Sequence, residues 1–242
     1  PAFDYCLVPE KFRLEDYRRA GANPIYCQEA ANPNIYRPYD VPQDVDVSFV
    51  GMRYGNRPLY MGTLYAAGID ARAWGPLWQE NAGRSEALSL RARLSRVKRR
   101  LLGHKVPPLA PPLPASHCGP PLDDIDYIKM YSRSRISLGF TQVAYTPPGQ
   151  EPIRQVRLRD FEATMSGAFY MVEAFDELAE FFEPDKEVVF FESPGECVDK
   201  VRFYLRNEAA RNRIRAASLK RARAEHTWHH RFQMVFRTIG LR

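Results

Sequence analysis

Cysteine is scarce in this sequence. Four residues, Cys6, Cys27, Cys118 and Cys197, stand far apart in a chain of 242, with no CxxC pair. That excludes a disulfide scaffold, which is short and Cys-dense, and argues against a structural zinc site, which draws on close pairs. Free thiols in a reducing, cytoplasmic compartment are expected. The five histidines include no HExxH, so a zinc hydrolase is not indicated. No apolar run approaches the roughly 18 residues of a transmembrane segment, and the first residues, PAFDYCLVPE, lack the layout of a secretory signal. There is no heptad, glycine period or internal repeat to suggest a fibre. A hydrophobic content of 45% is too high for a disordered chain.

Charge of one sign is missing from particular stretches. Residues 91–105, RARLSRVKRRLLGHK, hold seven Lys/Arg and no acid, and residues 200–242 hold twelve against two acids. Residues 173–199 reverse this, with ten acids and one Lys. The net charge of +6 therefore reports local patches, not a uniformly basic nucleic-acid binder. The 91–105 stretch is read as a solvated basic helix face, able to contact an acidic partner.

What is present is alternation. Short β-branched or aromatic runs at 3–8, 24–28, 45–51, 70–75, 135–141, 168–173 and 187–191 predict strands, and VDVSFVG (45–51) is the clearest. Amphipathic segments between them predict helices: about 10–20, 57–68, 85–102, from Asp123 or Asp124 to about Arg133, from a cap at Asp160 to Gly167, and 175–182. Ser193, Pro194 and Glu196 have the spacing of a capping box ahead of a nearly continuous helical C-terminus, with breaks near Asn207 and His226. Strand–helix–strand order implies an α/β fold with a mostly parallel, Rossmann-like sheet. The stretch 106–121 has seven prolines in sixteen residues and reads as a peripheral loop.

Three sequence blocks carry a family resemblance: RLRDFEATMSGAFY (157–170), EVVFFESPGECVDKVRFYL (187–205) and HTWxxR (226–231). With DVSFVGMRYGNR (46–57) and ANPNIYRP (31–38) upstream, they resemble the C-terminal half of group-1-like glycosyltransferases related to the CgeB proteins. The resemblance implies a GT-B fold, in which two Rossmann-like domains face one another. It implies that 1–40 is the remnant of an N-terminal domain with its linker. Residues 41–225 would be the nucleotide-sugar-binding domain, with an insertion at 80–121, and 226–242 a crossing helix. The activity implied is transfer of a sugar from a nucleotide diphosphate sugar to an unknown acceptor, of hexosyltransferase type, with no metal or other cofactor. A separate N-terminal domain would complete the site. The other reading is a non-catalytic anion- or partner-binding module.

The residues offer matching chemistry. Glu162 lies near a helix start, where ligands of open α/β sheets gather. Its carboxylate can accept both hydroxyls of a ribose, the role of the matching Glu in the family, or simply favour the helix dipole. Arg159, with Arg157 in support, suits a diphosphate whose charge grows as the glycosidic bond breaks, though either could pair with a nearby acid. Glycines 51 and 55 let a backbone approach an anion, and Arg53 and Arg57 match the diphosphate-holding region by resemblance. Gly167 reads first as a left-handed helix cap, and by resemblance as part of the donor lining. Glu173 could face the sugar, and reads first as a surface acid at a strand end. His226, Thr227, Trp228 and Arg231 read as structural, with the Trp buried. No catalytic base is assigned.

Overall fold

Parallel pairing organises both sheets of this protein. The computed structural model describes residues 3–84, 94, 97–98, 101–103, 109–147 and 150–241. Among these, β1 (Cys6–Val8) pairs with β2 (Pro24–Tyr26), and α1 (Leu14–Arg19) connects them. The main sheet contains β3 (Val45–Val50), β4 (Ala71–Trp74), β5 (Cys118–Gly119), β6 (Ser134–Gly139), β7 (Tyr170–Glu173) and β8 (Val189–Phe191). Its spatial order is β5-β4-β3-β6-β7-β8, and every neighbouring pair is parallel. Counted along the chain that is third-second-first-fourth-fifth-sixth, the doubly wound Rossmann order. The chain leaves β3 in one direction and returns at β6 on its other side. The switch point therefore lies between β3 and β6, at the carboxyl ends of the strands.

The helices α2 (Arg57–Ala66), α3 (Asp124–Arg133), α4 (Leu158–Met165), α5 (Asp176–Ala179), α6 (Pro194–Arg206), α7 (Glu208–Glu225) and α8 (Trp228–Thr238), with short 3-10 turns at Lys11–Arg13 and Ala115–His117, complete the described elements. The fold is thus α/β, with the Rossmann-like sheet and the helical C-terminus that the sequence predicts. Its strands read as near-continuous apolar runs because helices cover both faces. In β7 successive side chains go to opposite cores: Met171 joins the cluster around Phe49, Met61 and Val201, while Tyr170 and Val172 join the one around Phe161 and Leu178. A third, smaller cluster sets Val235 of α8 against Ile25 and Cys27, so the last helix packs on the first strand–helix–strand unit.

Three local expectations change. Asp160 does not start its helix. It sits at the third helical position, and its carboxylate accepts the backbone N–H of Arg157 at 2.8 Å. The capping chemistry is as read, but from the other end of the turn, so Glu162 is the fifth helical residue and not in the first turn. Secondly, the proline-rich stretch is not wholly peripheral. Ala110 and Leu113 are buried, Cys118 begins the edge strand β5, and Pro111 runs so close to α2 that a side chain at Gly62 would strike its carbonyl. Prolines donate no ladder hydrogen bonds, yet their apolar neighbours still cover a helix. Thirdly, Trp228 is 40% exposed, whereas His226, Thr227 and Arg231 of the same motif are buried. The predicted 85–102 helix and the basic stretch 91–105 lie largely outside the described residues. At Ser193 the cap forms as expected, its side chain accepting from Glu196 N, while the Glu196 carboxylate reaches Glu192 N at 2.8 Å.

Candidate functional site

β3 ends at Val50, and the loop Gly51–Asn56 crosses to the start of α2. β6 ends at Gly139, and the segment after it folds back on itself, with Gln142 bridging Arg154 and Val143 N bonded to Ile153 O at 2.9 Å. These two loops flank the switch point. Three arginines converge between them: Arg57 from α2, Arg157 just before α4, and Arg159 in its first turn.

Arg57 is only 3% exposed. Its Nη1 donates to Met52 O at 2.8 Å and its Nη2 to the Tyr54 hydroxyl at 2.5 Å, and its guanidinium lies over the Tyr54 ring at 3.6 Å from the centroid. Burial, with the like charges of Arg159 and Arg157 close by, lowers its pKa to about 10. Arg157 reaches in from the opposite side, where its Nη2 donates to Gln142 O at 2.6 Å and to the Tyr54 hydroxyl at 3.2 Å. Arg159 faces the aromatic rings of Phe49 and Tyr127, each 5.9 Å away. Its guanidinium lies beside Gly51, 3.4 Å from where a Cβ would stand. That glycine is needed for room, since a Cβ there would also come within 2.8 Å of the Phe49 ring.

The three guanidinium groups are not neutralised. Among the described residues none of them forms a salt bridge, whereas Arg72, Arg133 and Arg135 each pair with an aspartate. The Nε of Arg57, of Arg157 and of Arg159 is buried without a hydrogen-bond partner. Such orphaned charged donors cost free energy unless a ligand completes them. The arrangement is an anion seat with unspent donors.

Beside it stands a carboxylate held by tyrosines. Glu162 is buried, and its Oε2 accepts the Tyr127 hydroxyl at 2.6 Å, which in turn accepts from Tyr131 at 2.6 Å. Tyr36, from the segment after β2, lies close by, and burial together with the Glu162 carboxylate raises its pKa. A carboxylate has about four lone-pair positions, so the tyrosines do not exhaust it. Glu29 lies nearby, its pKa raised by burial and by the Glu162 charge. Behind the seat, Asp160 is fully buried and bonded to Tyr170 Oη at 2.7 Å, and burial pushes its carboxyl up to about 6.

The structure therefore brings together Gly51, Arg57, Arg157, Arg159 and Glu162 of the sequence-predicted residues. It separates the other two. The Arg53 side chain turns toward β4 and β5, into a cleft with Trp78, Arg84 and Leu113, and its backbone N–H is spent on Pro76 O. Gly167 lies at the far end of α4, just before β7 begins. It adopts φ +72°, and a Cβ there would meet Pro38 at 2.9 Å. It is the left-handed cap read from the sequence, and it stands at the amino ends of the strands, the opposite end of the sheet from the arginines.

Glu173 is a correction. It is not a surface acid but is 3% exposed, accepting from Asn56 Nδ2 at 2.7 Å and from the Thr141 N–H and hydroxyl at 3.2 and 3.1 Å. It ties the two loops together from below. Tyr54, Tyr127 and Tyr36 were missed by sequence reasoning. Tyr54 lies inside the loop already singled out, between two glycines. Tyr127 and Tyr131 share a helix face by their spacing of four. Among the described residues no three His, Cys, Asp or Glu side chains gather to hold a metal, and no helix is long and apolar enough to cross a membrane.

Known structures share this architecture. A sucrose-phosphate synthase from Thermosynechococcus elongatus superposes with a TM-score of 0.59 at 13% identity, covering 98% of this chain and 58% of its own. Anabaena HepE in complex with UDP-glucose gives 0.62 at 10% identity, over 98% of this chain and 64% of its own. A variant of S. aureus TarM in complex with UDP gives 0.60 at 8% identity, over 96% and 43%. At such identities the likeness is one of fold, the GT-B fold, and this chain spans less than two thirds of the length of each. No curated protein matches the sequence. The family described as glycosyl transferase-like matches residues 63–237, a span that holds Arg157, Arg159 and Glu162. Because that match covers well over half of the sequence, the chain belongs to the glycosyl transferase-like family.

Proposed function

We propose that this chain is the donor-binding part of a cytoplasmic, CgeB-like glycosyltransferase of the hexosyltransferase type. It takes a nucleotide diphosphate sugar and passes the sugar to an acceptor held by a second domain. The observation that carries the reading is the trio of arginines at the switch point between β3 and β6, each with a buried Nε that lacks a partner and none in a salt bridge among the described residues. As the glycosidic bond breaks, the leaving diphosphate gains negative charge. Arg57, Arg157 and Arg159 supply fixed positive charge there without reorganising, which is the task a metal ion performs in other enzymes. Glu162, oriented by Tyr127, accepts the ribose hydroxyls. HepE and TarM, seen with UDP-glucose and UDP respectively, lend support by analogy of fold. The first unit, β1 to β2 with the segment to residue 40, is read as the end of the acceptor-facing domain, with α8 crossing back onto it.

Calorimetric titration with UDP, GDP, dTDP and CMP identifies the base. Glu162→Gln then tests the ribose role. Hydrogen bonds to a charged group contribute about 1.5–3 kcal/mol, so affinity for the ribonucleotide should fall about ten- to a hundredfold, and much less for the 2′,3′-dideoxy analogue. An equal loss for both ligands rules out the ribose contact.

A non-catalytic anion-binding module is the second reading. It is favoured by the state of the site's carboxylates: Asp160, Glu162 and Glu173 are each tied by protein hydrogen bonds that fix their place in the scaffold, and the site assigns no catalytic base. Turnover of a nucleotide sugar by the chain, alone or with an added acceptor domain, decides between the two.

A further inference from the structure

The Tyr54 hydroxyl is hydrogen-bonded to two of the three arginines at once, and its position is unusual. It accepts from Arg57 Nη2 at 2.5 Å and from Arg157 Nη2 at 3.2 Å, so it joins cations from the two sides of the switch point. Its loop also meets the opposite loop at Gly55, where a Cβ would lie 3.2 Å from the Gln142 side-chain oxygen. We propose that the Tyr54 phenol is a resident stand-in for a phosphate oxygen, closing the seat while it is empty and displaced when the diphosphate of a nucleotide arrives. The inference rests on the donor-site reading given above and adds the residue that gates its anionic end.

Three observations favour displacement over mere support. Arg57 and Arg157 are each held by a backbone carbonyl without the phenol, Met52 O at 2.8 Å and Gln142 O at 2.6 Å. Tyr54 is therefore not needed to place them. A phenol oxygen is neutral, while a phosphate oxygen is anionic and forms charge-assisted bonds about twice as strong. The exchange favours the ligand, yet the ligand must still break the bonds it replaces. Finally, Tyr54 is half-buried beside the exposed Gly55, so its side chain borders solvent and can turn out by rotation about its own bonds while Met52 O stays on Arg57.

Tyr54→Phe tests this directly, because phenylalanine keeps the ring under Arg57 and removes only the oxygen. Three ligands are titrated into parent and variant: inorganic pyrophosphate, UDP and uridine, or the diphosphate and nucleoside of whichever base the parent prefers. Removing the two competing hydrogen bonds should tighten pyrophosphate and UDP about fivefold or more and leave uridine unchanged. The melting temperature of the unliganded variant should fall, since the buried Arg57 and the half-buried Arg157 each lose an acceptor. A supporting residue would instead lower stability and phosphate affinity together. Unchanged or weaker phosphate binding by the variant overturns the inference while leaving the donor-site reading intact, provided that the parent binds UDP. If neither protein binds pyrophosphate or any nucleotide diphosphate, both fall. If the variant alone binds pyrophosphate, the gate is shown on its own terms.

Discussion

Two groups of arginines withdrawn from solvent, one at the start of α4 and one on the C-terminal helices, are treated differently. In the first group, Arg57, Arg157 and Arg159 each keep a buried Nε with no partner. On α8, Arg231 is buried and has an acceptor for each of its three nitrogens. Its Nε donates to Gln28 O at 3.1 Å, Nη1 to Glu225 O at 3.2 Å and Nη2 to His226 Nδ1 at 3.3 Å, and its plane faces Phe161 and Phe181. Arg211, likewise buried, spends its Nη1 on the last carbonyls of α6, Tyr204 O and Leu205 O. An arginine whose nitrogens are met by protein acceptors, as those of Arg231 are, is a structural tie. One whose donors are left over, amid like charges, is poised for a ligand. Burial alone does not separate the two cases. The hydrogen-bond inventory does.

The largest effect should come from the structural side. Arg231→Gln strands several buried carbonyls and should lower unfolding free energy by about 3 kcal/mol in urea titrations, with nucleotide affinity of the folded protein unchanged. A loss below about 1 kcal/mol would erase the contrast between the two groups.

Arg159→Gln should behave in the opposite way. Stability should hold or rise, because an unpaired charge is removed, while UDP affinity should fall about ten- to a hundredfold. Thermal melts and calorimetry on the same sample give both numbers. A fall in stability with no change in affinity would move Arg159 into the structural class.

Acidity separates the regions more gently. Burial holds His226, beside Arg231, down at about 4, so its contribution is present above the unfolded value near 6.5 and is lost as pH falls through about 4. Asp160, beneath the anion seat, is pushed up to about 6. Its contribution is present below the unfolded value near 3.9 and is lost as pH rises through about 6. Unfolding curves between pH 4 and 7 should therefore respond oppositely. His226→Gln should remove a slope that rises with pH, and Asp160→Asn one that falls. The same sign for both variants would refute the opposed environments.

Much of the scaffold was legible in the residues. VDVSFVG, the amphipathic segment after it and DARAWG announce a parallel strand–helix–strand unit, since β-branched runs and a 3.6-residue period need no tertiary information to be read. The breaks at Asn207 and His226 fall between α6, α7 and α8 as expected. The edge strand β5 was not legible, because two residues hemmed by prolines carry no periodicity. It exists only because β4 offers it a ladder. Trp228 was misjudged for a different reason. Thr227 caps α8, which puts Arg231 and Val235 on the inner face and Trp228, Phe232 and Phe236 on the outer one. The rotation of a helix about its axis decides which of two apolar stripes is buried. Of the site, the sequence marked Arg157, Arg159 and Glu162 by their motif but could not place Arg53 or Gly167 away from them.

By itself, then, the sequence determined the class of fold, the positions of most strands and helices and the local chemistry of its motifs, because these depend on neighbours a few residues apart. Only the tertiary structure decided which arginines share a site. Arg57 and Arg157 are a hundred residues apart, and they meet through Tyr54 because β3 and β6 lie side by side at the point where the sheet reverses its order.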